Sequence, residues 1–385
     1  MKKVLYVTTV SRTVNAFLIP HIEMLIDNEY EVHCACSIDK EIDKRLIKKG
    51  INIHNISFSR NPLSLDNLKA FKELIKIQKE NKYDMVHVHT PIASIYGRLL
   101  KIKFKKLKTI YTAHGYHFLK NGPKIGWILY YPIEKIMAKL TDVTININQE
   151  DFEITKNKLK PKKAYLVNGV GLNLDEYSSL GKEEKSKKRE VLGLEEEDFV
   201  VIMIAELNEN KNQIQLIKAM ELLKDKYQNI KCLIVGEGDK LQGLREEVKN
   251  RKLEKNIIFL GFRTDINELI NASDIGVLLS YREGLPRNLM EIMANGKRIV
   301  ATNIRGNRDI ICNDFIGSLV EIDDFEATAK AIENCYLTSA NEEGILKEVK
   351  NYAISSVLEE LKFIYKNLQE GGSYNEKMSS YITNE

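Results

Sequence analysis

Two glutamates, Glu283 and Glu291, stand with seven residues between them in the stretch GVLLSYREGLPRNLMEIMANG, Gly276 to Gly296. The stretch opens on apolar Val277, Leu278 and Leu279, passes through a polar turn and continues as a helix. Pro286 suits a first helical position, where its missing N–H is no loss. Asn295-Gly296 reads as the stop, because glycine accepts the left-handed backbone that closes many helices. A strand, a glycine turn and a helix leave free N–H groups and the positive end of a helix dipole at one point, which attracts an anion such as a diphosphate. Carboxylates beside a diphosphate would repel it, but they accept hydrogen bonds well from vicinal hydroxyls. Glu291 could therefore hold the hydroxyls of a ribose, as an acidic residue does in dinucleotide sites, and Glu283 could face a second sugar. Taken alone, a glutamate pair at this spacing is equally a solvated turn residue and an ordinary helical one.

Other residues extend the same chemistry. Lys211 precedes a helix that follows the strand Phe199–Ala205, where it can reach a diphosphate as a point charge. Gly236, Gly238, Gly261 and Gly284 follow strands and let a flat base or a phosphate approach the backbone. His114 sits where a strand gives way to a glycine turn, a usual place for reactive side chains in an α/β domain. His87 and His89 alternate on a strand and read as structural or secondary. No H-E-x-x-H spacing and no Asp-x-Asp pair occurs, so neither a zinc site nor the usual carboxylate clamp for a divalent cation is expected. A serine nucleophile elbow and a Walker-type phosphate loop are also missing from the sequence.

The elements that must hold these residues alternate. Strand patterns at Val4–Val7, Glu31–Cys36, Asp84–His89 and Thr109–Thr112 are separated by helical ones, and a second series runs from Phe199 to Ala301. Alternation of this kind predicts parallel sheets covered on both faces. At 385 residues the chain suits two domains. Two such sheets put a ligand in the crevice at their strand C-termini. The five scattered cysteines, with no C-x-x-C, fit a reducing cytoplasm. The start MKKVLYVTT runs directly into a strand pattern rather than a signal peptide, and no apolar stretch is long enough to span a bilayer.

The net charge of +4 conceals an asymmetry: residues 1–170 carry 29 Lys and Arg against 16 Asp and Glu, roughly +13, which leaves roughly −9 for the rest. No nucleic-acid reading module accompanies the basic half. An anionic membrane face or a diphosphate-bearing substrate fits it, as does a simply lysine-rich surface.

Taken in order, Thr112-Ala-His-Gly-Tyr-His-Phe118, Asn168-Gly169-Val170, Glu206-Leu-Asn-Glu-Asn-Lys-Asn212, Gly236-Glu-Gly238, Gly261-Phe262 and Glu283-Gly-Leu-Pro to Glu291 resemble the retaining glycosyltransferases of family 4, most closely those of bacterial capsule and exopolysaccharide synthesis. The resemblance implies the GT-B fold, an α/β architecture of two Rossmann-like domains with parallel sheets facing across a cleft. It implies a basic acceptor-binding domain over residues 1–170, a nucleotide-sugar domain over 171–355, and, over 356–385, a C-terminal helix that packs back on the first domain plus a loose tail. It further implies transfer from a UDP-sugar, with retention, to a saccharide on undecaprenyl diphosphate, without a metal or a cofactor beyond the co-substrate. Carried over, Glu291 would bind the ribose, and Glu283 and His114 the transferred sugar and the reacting centre. Lys211 and the turn Gly284, Leu285, Pro286, Arg287 and Asn288, through the N–H groups after Gly284, would hold the diphosphate, with Gly236, Gly238, Gly261 and Phe262 beside the base and Asn168 nearby.

Two departures stand out. Glu206 occupies a position that is basic in many relatives, and the loop Thr8 to Thr13 lacks their Gly-Gly; Arg12, Asn15 or Arg308 could compensate. The run Lys101 to Lys108 and the aromatic-apolar Trp127 to Tyr131 fit peripheral attachment at the cytoplasmic membrane face, alongside other polysaccharide-assembly enzymes; Trp127 and its neighbours could equally pack the core. A sugar-nucleotide epimerase of the same fold and a non-catalytic nucleotide-sugar-binding subunit remain open as alternatives.

Overall fold

The computed structural model describes residues 1–370 except 60, 62, 63 and 121. The expected loose tail from Gly371 onward lies outside the described residues. Seven strands form the first sheet: β1 (Lys2–Val10), β2 (Tyr30–Ser37), β3 (Asn52–Asn55), β4 (Met85–Val88), β5 (Lys108–Ala113), β6 (Val143–Asn146) and β7 (Lys163–Leu166). Their order is β3-β2-β1-β4-β5-β6-β7, and every pairing is parallel. Six more form the second: β8 (Phe199–Ile204), β9 (Ile230–Val235), β10 (Ile257–Gly261), β11 (Ile275–Leu278), β12 (Arg298–Thr302) and β13 (Gly317–Val320). Their order, β10-β9-β8-β11-β12-β13, repeats the same doubly wound pattern, again parallel. β13 had no clear signal in the sequence, since Gly317-Ser-Leu-Val carries only two apolar residues.

The central strands read as continuous apolar runs because helices cover both faces of a parallel sheet. Val4, Leu5, Tyr6 and Val7 of β1 and Val200 to Met203 of β8 are all fully buried. In each sheet the chain reverses direction beside the central strand, β1/β4 and β8/β11, which opens a crevice at the strand C-termini. After β1 a wide turn over Val14–Leu18 precedes the helix Ile19–Asp27.

Two segments cross between the sheets, side by side. Leu172 N–H donates to Tyr352 O and Ile354 N–H to Leu172 O, both at 2.8 Å. Gly171 has φ +82° there, and a Cβ on it would lie 2.8 Å from Ile354 Cα, so glycine alone fits. After the second crossing the helix Ile354–Glu370 packs on the first domain through Val357, Leu361, Ile364, Tyr365 and Leu368, against a core that includes Val4, Tyr6 and Leu25. Each such side chain stabilises the return by about 1.5–3 kcal/mol. Tyr365 adds a hydroxyl contact to Tyr6 at 3.0 Å and to His87 Nδ1 at 2.6 Å.

Candidate functional site

The glycine turn after β11 is where the two domains meet. A Cβ on Gly284 would fall 2.0 Å from the carbonyl oxygen of His114, at the end of β5 in the first domain. Gly115 approaches Gly284 Cα with φ +137°, a backbone that L side chains rarely adopt. The backbone at His114 and the turn that follows Glu283 therefore come together from opposite sheets. His114 is half-buried, and its surroundings push its pKa down to about 4, so the ring is neutral at neutral pH.

Lys211 reaches the same point by a different route. The loop after β8 and the loop after β11 are laced together: Tyr281 N–H donates to Asn210 O at 2.8 Å, and Asn210 Nδ2 donates to Arg282 O at 3.0 Å. The Asn208 side chain accepts from Lys211 N–H at 3.2 Å and holds the short turn Glu209–Lys211. As a result Lys211 Nζ donates to Glu283 Oε1 at 2.5 Å. Two residues 72 positions apart form one ion pair in the cleft.

The helix Arg287–Ala294 starts one residue later than the sequence suggested, with Pro286 as its N-cap. Its first N–H groups have no carbonyl partner in the helix. On its face, Glu291 Oε1 accepts from Tyr177 OH at 2.8 Å and from Arg287 Nε at 3.0 Å. Burial, reinforced by the Glu291 carboxylate, raises the Tyr177 pKa, so the phenol stays protonated and donates. Tyr177 follows the interdomain crossing and was not among the residues singled out from sequence.

The other expected residues have varied surroundings. Asn288 Nδ2 donates to Ile204 O at 2.7 Å and ties the helix to the end of β8. Leu285 packs against Gly169. Asn168 Nδ2 donates to Asn351 O at 3.1 Å, beside the crossing. Gly236 and Gly238 fold onto the loop after β8, where a Cβ would meet Ala205 O at 2.0 Å and Leu207 O at 2.2 Å. Gly236 N–H donates to Gly261 O at 2.8 Å, which sets β9 and β10 ends together, and Phe262 stands 71% exposed beside them. Glu206 is exposed. Arg12 pairs with Asp39 at 2.9 Å, Asn15 Nδ2 with Glu41 O at 2.7 Å, and Arg308 with Glu150 at 2.7 Å.

Arg305, which sequence reasoning passed over, joins the two domains. Its Nε donates to Glu283 O at 3.0 Å, and its Nη1 donates to Tyr116 O at 3.0 Å and to Asp151 Oδ1 at 2.7 Å. Burial pushes the Asp151 carboxyl up, while the Arg305 charge opposes the shift. Its only available signal was its place between a strand and the Gly306 turn. A concavity of about 610 Å³ at the N-terminal ends of β1, β4 and β5, lined by lysines that include Lys79, Lys82 and Lys106, contains none of these groups.

Residues 184–352 match the family model of glycosyl transferases group 1, and residues 3–148 that of glycosyl transferase 4-like proteins. EpsD of Bacillus subtilis (strain 168), named as a glycosyltransferase, is 36% identical over 338 residues, 87% of each chain. The chain belongs to this glycosyltransferase family. The glycosyltransferase is also 27% identical, over 80% of its length and 81% of the relative's, to a UDP-Gal:α-D-GlcNAc-diphosphoundecaprenol α-1,3-galactosyltransferase of Escherichia coli. Anabaena HepE, solved with UDP and glucose, shares its fold at a TM-score of 0.78 and 18% identity, covering 95% of this chain and all of that one. The fold of the glycosyltransferase is GT-B.

The helix Lys124–Ala138 divides the expected membrane motif of the glycosyltransferase in two. Trp127 packs inward, its Nε1 donating to Leu119 O at 2.8 Å, and Tyr131 lies 5.3 Å from it. Glu134 anchors the same inner face to buried Arg98 at 2.8 Å. The outer face is apolar: Ile125, Ile128, Leu129, Ile133 and Ile136 are 40–66% exposed. Exposed Lys124 and Lys139 flank it. Among the described residues no helix is long and apolar enough to cross a membrane.

Proposed function

We propose that this glycosyltransferase moves a sugar from a UDP-sugar, with retention of anomeric configuration, onto a saccharide carried by undecaprenyl diphosphate during capsule or exopolysaccharide assembly. The second domain takes the donor and the basic first domain the acceptor. The observation that carries the reading is the Lys211–Glu283 ion pair beside the start of the helix Arg287–Ala294, with the backbone of His114, from the other domain, packed on the Gly284 turn next to it. Lys211 and the helix N–H groups stabilise the charge that develops on the departing diphosphate. Glu291 takes the ribose hydroxyls, and Glu283, aligned by Lys211, takes those of the sugar. The bond from the anomeric carbon to the phosphate oxygen breaks. A bond to the acceptor oxygen forms on the same face, and the acceptor's proton passes to the leaving phosphate oxygen. No side chain serves as nucleophile, and neither a metal nor a cofactor beyond the co-substrate is required in this scheme. Closure of the domains aligns the acceptor and excludes water.

The likeness to a galactosyltransferase named for a diphosphoundecaprenol acceptor supports the lipid carrier. The exposed isoleucine-leucine face, with lysines at both ends, supports attachment to an anionic membrane surface at the cytoplasmic side, beside other polysaccharide-assembly enzymes. The test is release of nucleoside diphosphate across a panel of sugar nucleotides, with undecaprenyl-diphosphate-linked saccharides as acceptors and the product's anomeric configuration read by NMR. Acceptor-dependent release of UDP with retention is expected. Conversion of the donor without an acceptor would favour an epimerase, and donor binding without turnover a scaffold subunit.

A further inference from the structure

We propose that buried His89 is a positioning residue that holds His114 in its Nδ1–H tautomer, so that His114 presents a hydrogen-bond donor to the cleft. His89 lies at the end of β4 and is 1% exposed. Its Nδ1 lies 3.1 Å from His114 Nε2. Below it, Tyr6 stacks on the His89 ring at 5.4 Å and His87 lies 4.3 Å away. His87 offers no partner, because Tyr365 OH and Thr112 Oγ1 already occupy its two nitrogens at 2.6 and 2.7 Å.

The direction of the His89–His114 bond follows from the other end of the His89 ring. Among the described residues, His89 Nε2 is buried without a hydrogen-bond partner. If His114 donated, His89 would have to carry its own proton on that nitrogen, as a buried N–H with no acceptor. If His89 donates through Nδ1, the unpartnered atom is only a lone pair. Orphaned buried N–H groups are the rarer and costlier case. Burial holds both rings neutral, so a single proton lies between them. His114 Nε2 is then an acceptor, and its proton resides on Nδ1, the nitrogen left for substrate. The hydrogen bond on one ring nitrogen decides the protonation of the other. There it donates to an oxygen of the bound sugar nucleotide, a hydroxyl or a phosphoryl oxygen, and has no lone pair on that side with which to remove a proton.

A second, independent feature marks this position. Thr90, directly after His89, has φ +63°, an unusual conformation for a β-branched residue. Thr9 holds it there: the two hydroxyl oxygens lie 2.7 Å apart, and Thr9 N–H donates to Thr90 Oγ1 at 3.1 Å. Strain kept in place by its neighbours is characteristic of segments that aim a side chain.

The test is long-range 1H–15N NMR of the full chain labelled at histidine, with His114 assigned through His114→Asn. The wild type should show His114 protonated at Nδ1, and His89→Phe should move that proton toward Nε2. Only its kinetic arm rests on the transfer reading: His89→Phe should lower kcat about ten- to a hundredfold while KM for the donor changes by less than about threefold, and His89→Gln, which keeps an N–H donor, should recover part of the rate. An Nε2–H tautomer in the wild type would overturn the proposal even if the variant failed to fold. So would an unchanged His114 spectrum in a folded His89→Phe chain. Absence of transferase activity with a wild-type Nδ1–H spectrum would instead count against the transfer reading alone.

Discussion

Arg305 of the second domain donates to Asp151 of the first at 2.7 Å, and the same guanidinium holds the backbone carbonyl of Glu283 at 3.0 Å. One buried cation thus couples the contact between the domains to the placement of the carboxylate in the cleft. Arg305→Ala strands a buried carboxylate, so the chain should lose about 3–5 kcal/mol of stability. Arg305→Ala with Asp151→Asn should regain part of that loss. Urea unfolding of the two variants checks this, and equal stabilities would show that the pair carries no coupling.

Glu291 is oriented from two sides before any ligand arrives. Glu291→Ala should weaken UDP binding by about 1.5–3 kcal/mol, roughly 10- to 150-fold, the usual worth of hydrogen bonds to a charged group. Tyr177→Phe removes only the orienting hydroxyl and should weaken binding by about 0.5–1.5 kcal/mol. Calorimetry with UDP measures both, and unchanged affinity in Glu291→Ala would remove it from the ribose site.

Acid should destabilise the fold early. Burial lowers the pKa of His21 and of His114 to about 4 and that of His87 and His89 well below 6.5. For a histidine depressed in the folded state, the stabilising contribution is complete above the unfolded value and is lost as pH falls through 6.5 toward the folded one. Each such group gives up about 2 kcal/mol between pH 7 and pH 5 as an upper value. Urea midpoints over that range should fall steeply, and His87→Phe, if it folds, should flatten the fall. A midpoint independent of pH would contradict the burial of neutral histidines.

The outer face of the helix Lys124–Ala138 gives a separate expectation. Ile128→Glu with Leu129→Glu should abolish flotation with vesicles containing phosphatidylglycerol, since each apolar side chain withdrawn from the bilayer interface forfeits about 1.5–3 kcal/mol at most. Activity on a water-soluble acceptor should be kept. Undiminished flotation would place the membrane contact elsewhere.

What was readable in the sequence was local. The strand, glycine turn and helix around Glu283 and Glu291 follow from an apolar run, Gly284, Pro286 and Gly296, all within one stretch, and the alternation of elements pointed to parallel sheets. What was hidden depends on distant partners. The Lys211–Glu283 pair joins residues 72 apart, and its lacing through Asn210 and Tyr281 has no sequence signature. Arg305 and Tyr177 went unmarked because their partners, Asp151 and Glu291, come from other elements. Trp127 to Tyr131 could not be divided until the helix was seen: period alone shows an apolar face, and not whether it meets the core or water.

Acceptor-dependent UDP release by the wild type, Lys211→Ala and Glu283→Ala, measured beside the UDP affinity of Glu283→Ala, tests the central claim most directly. The account predicts that each substitution lowers turnover about 10²- to 10³-fold, and that Glu283→Ala leaves the affinity for free UDP within about threefold. Turnover near the wild-type rate in Glu283→Ala, or release of UDP at the same rate without an acceptor, would contradict it.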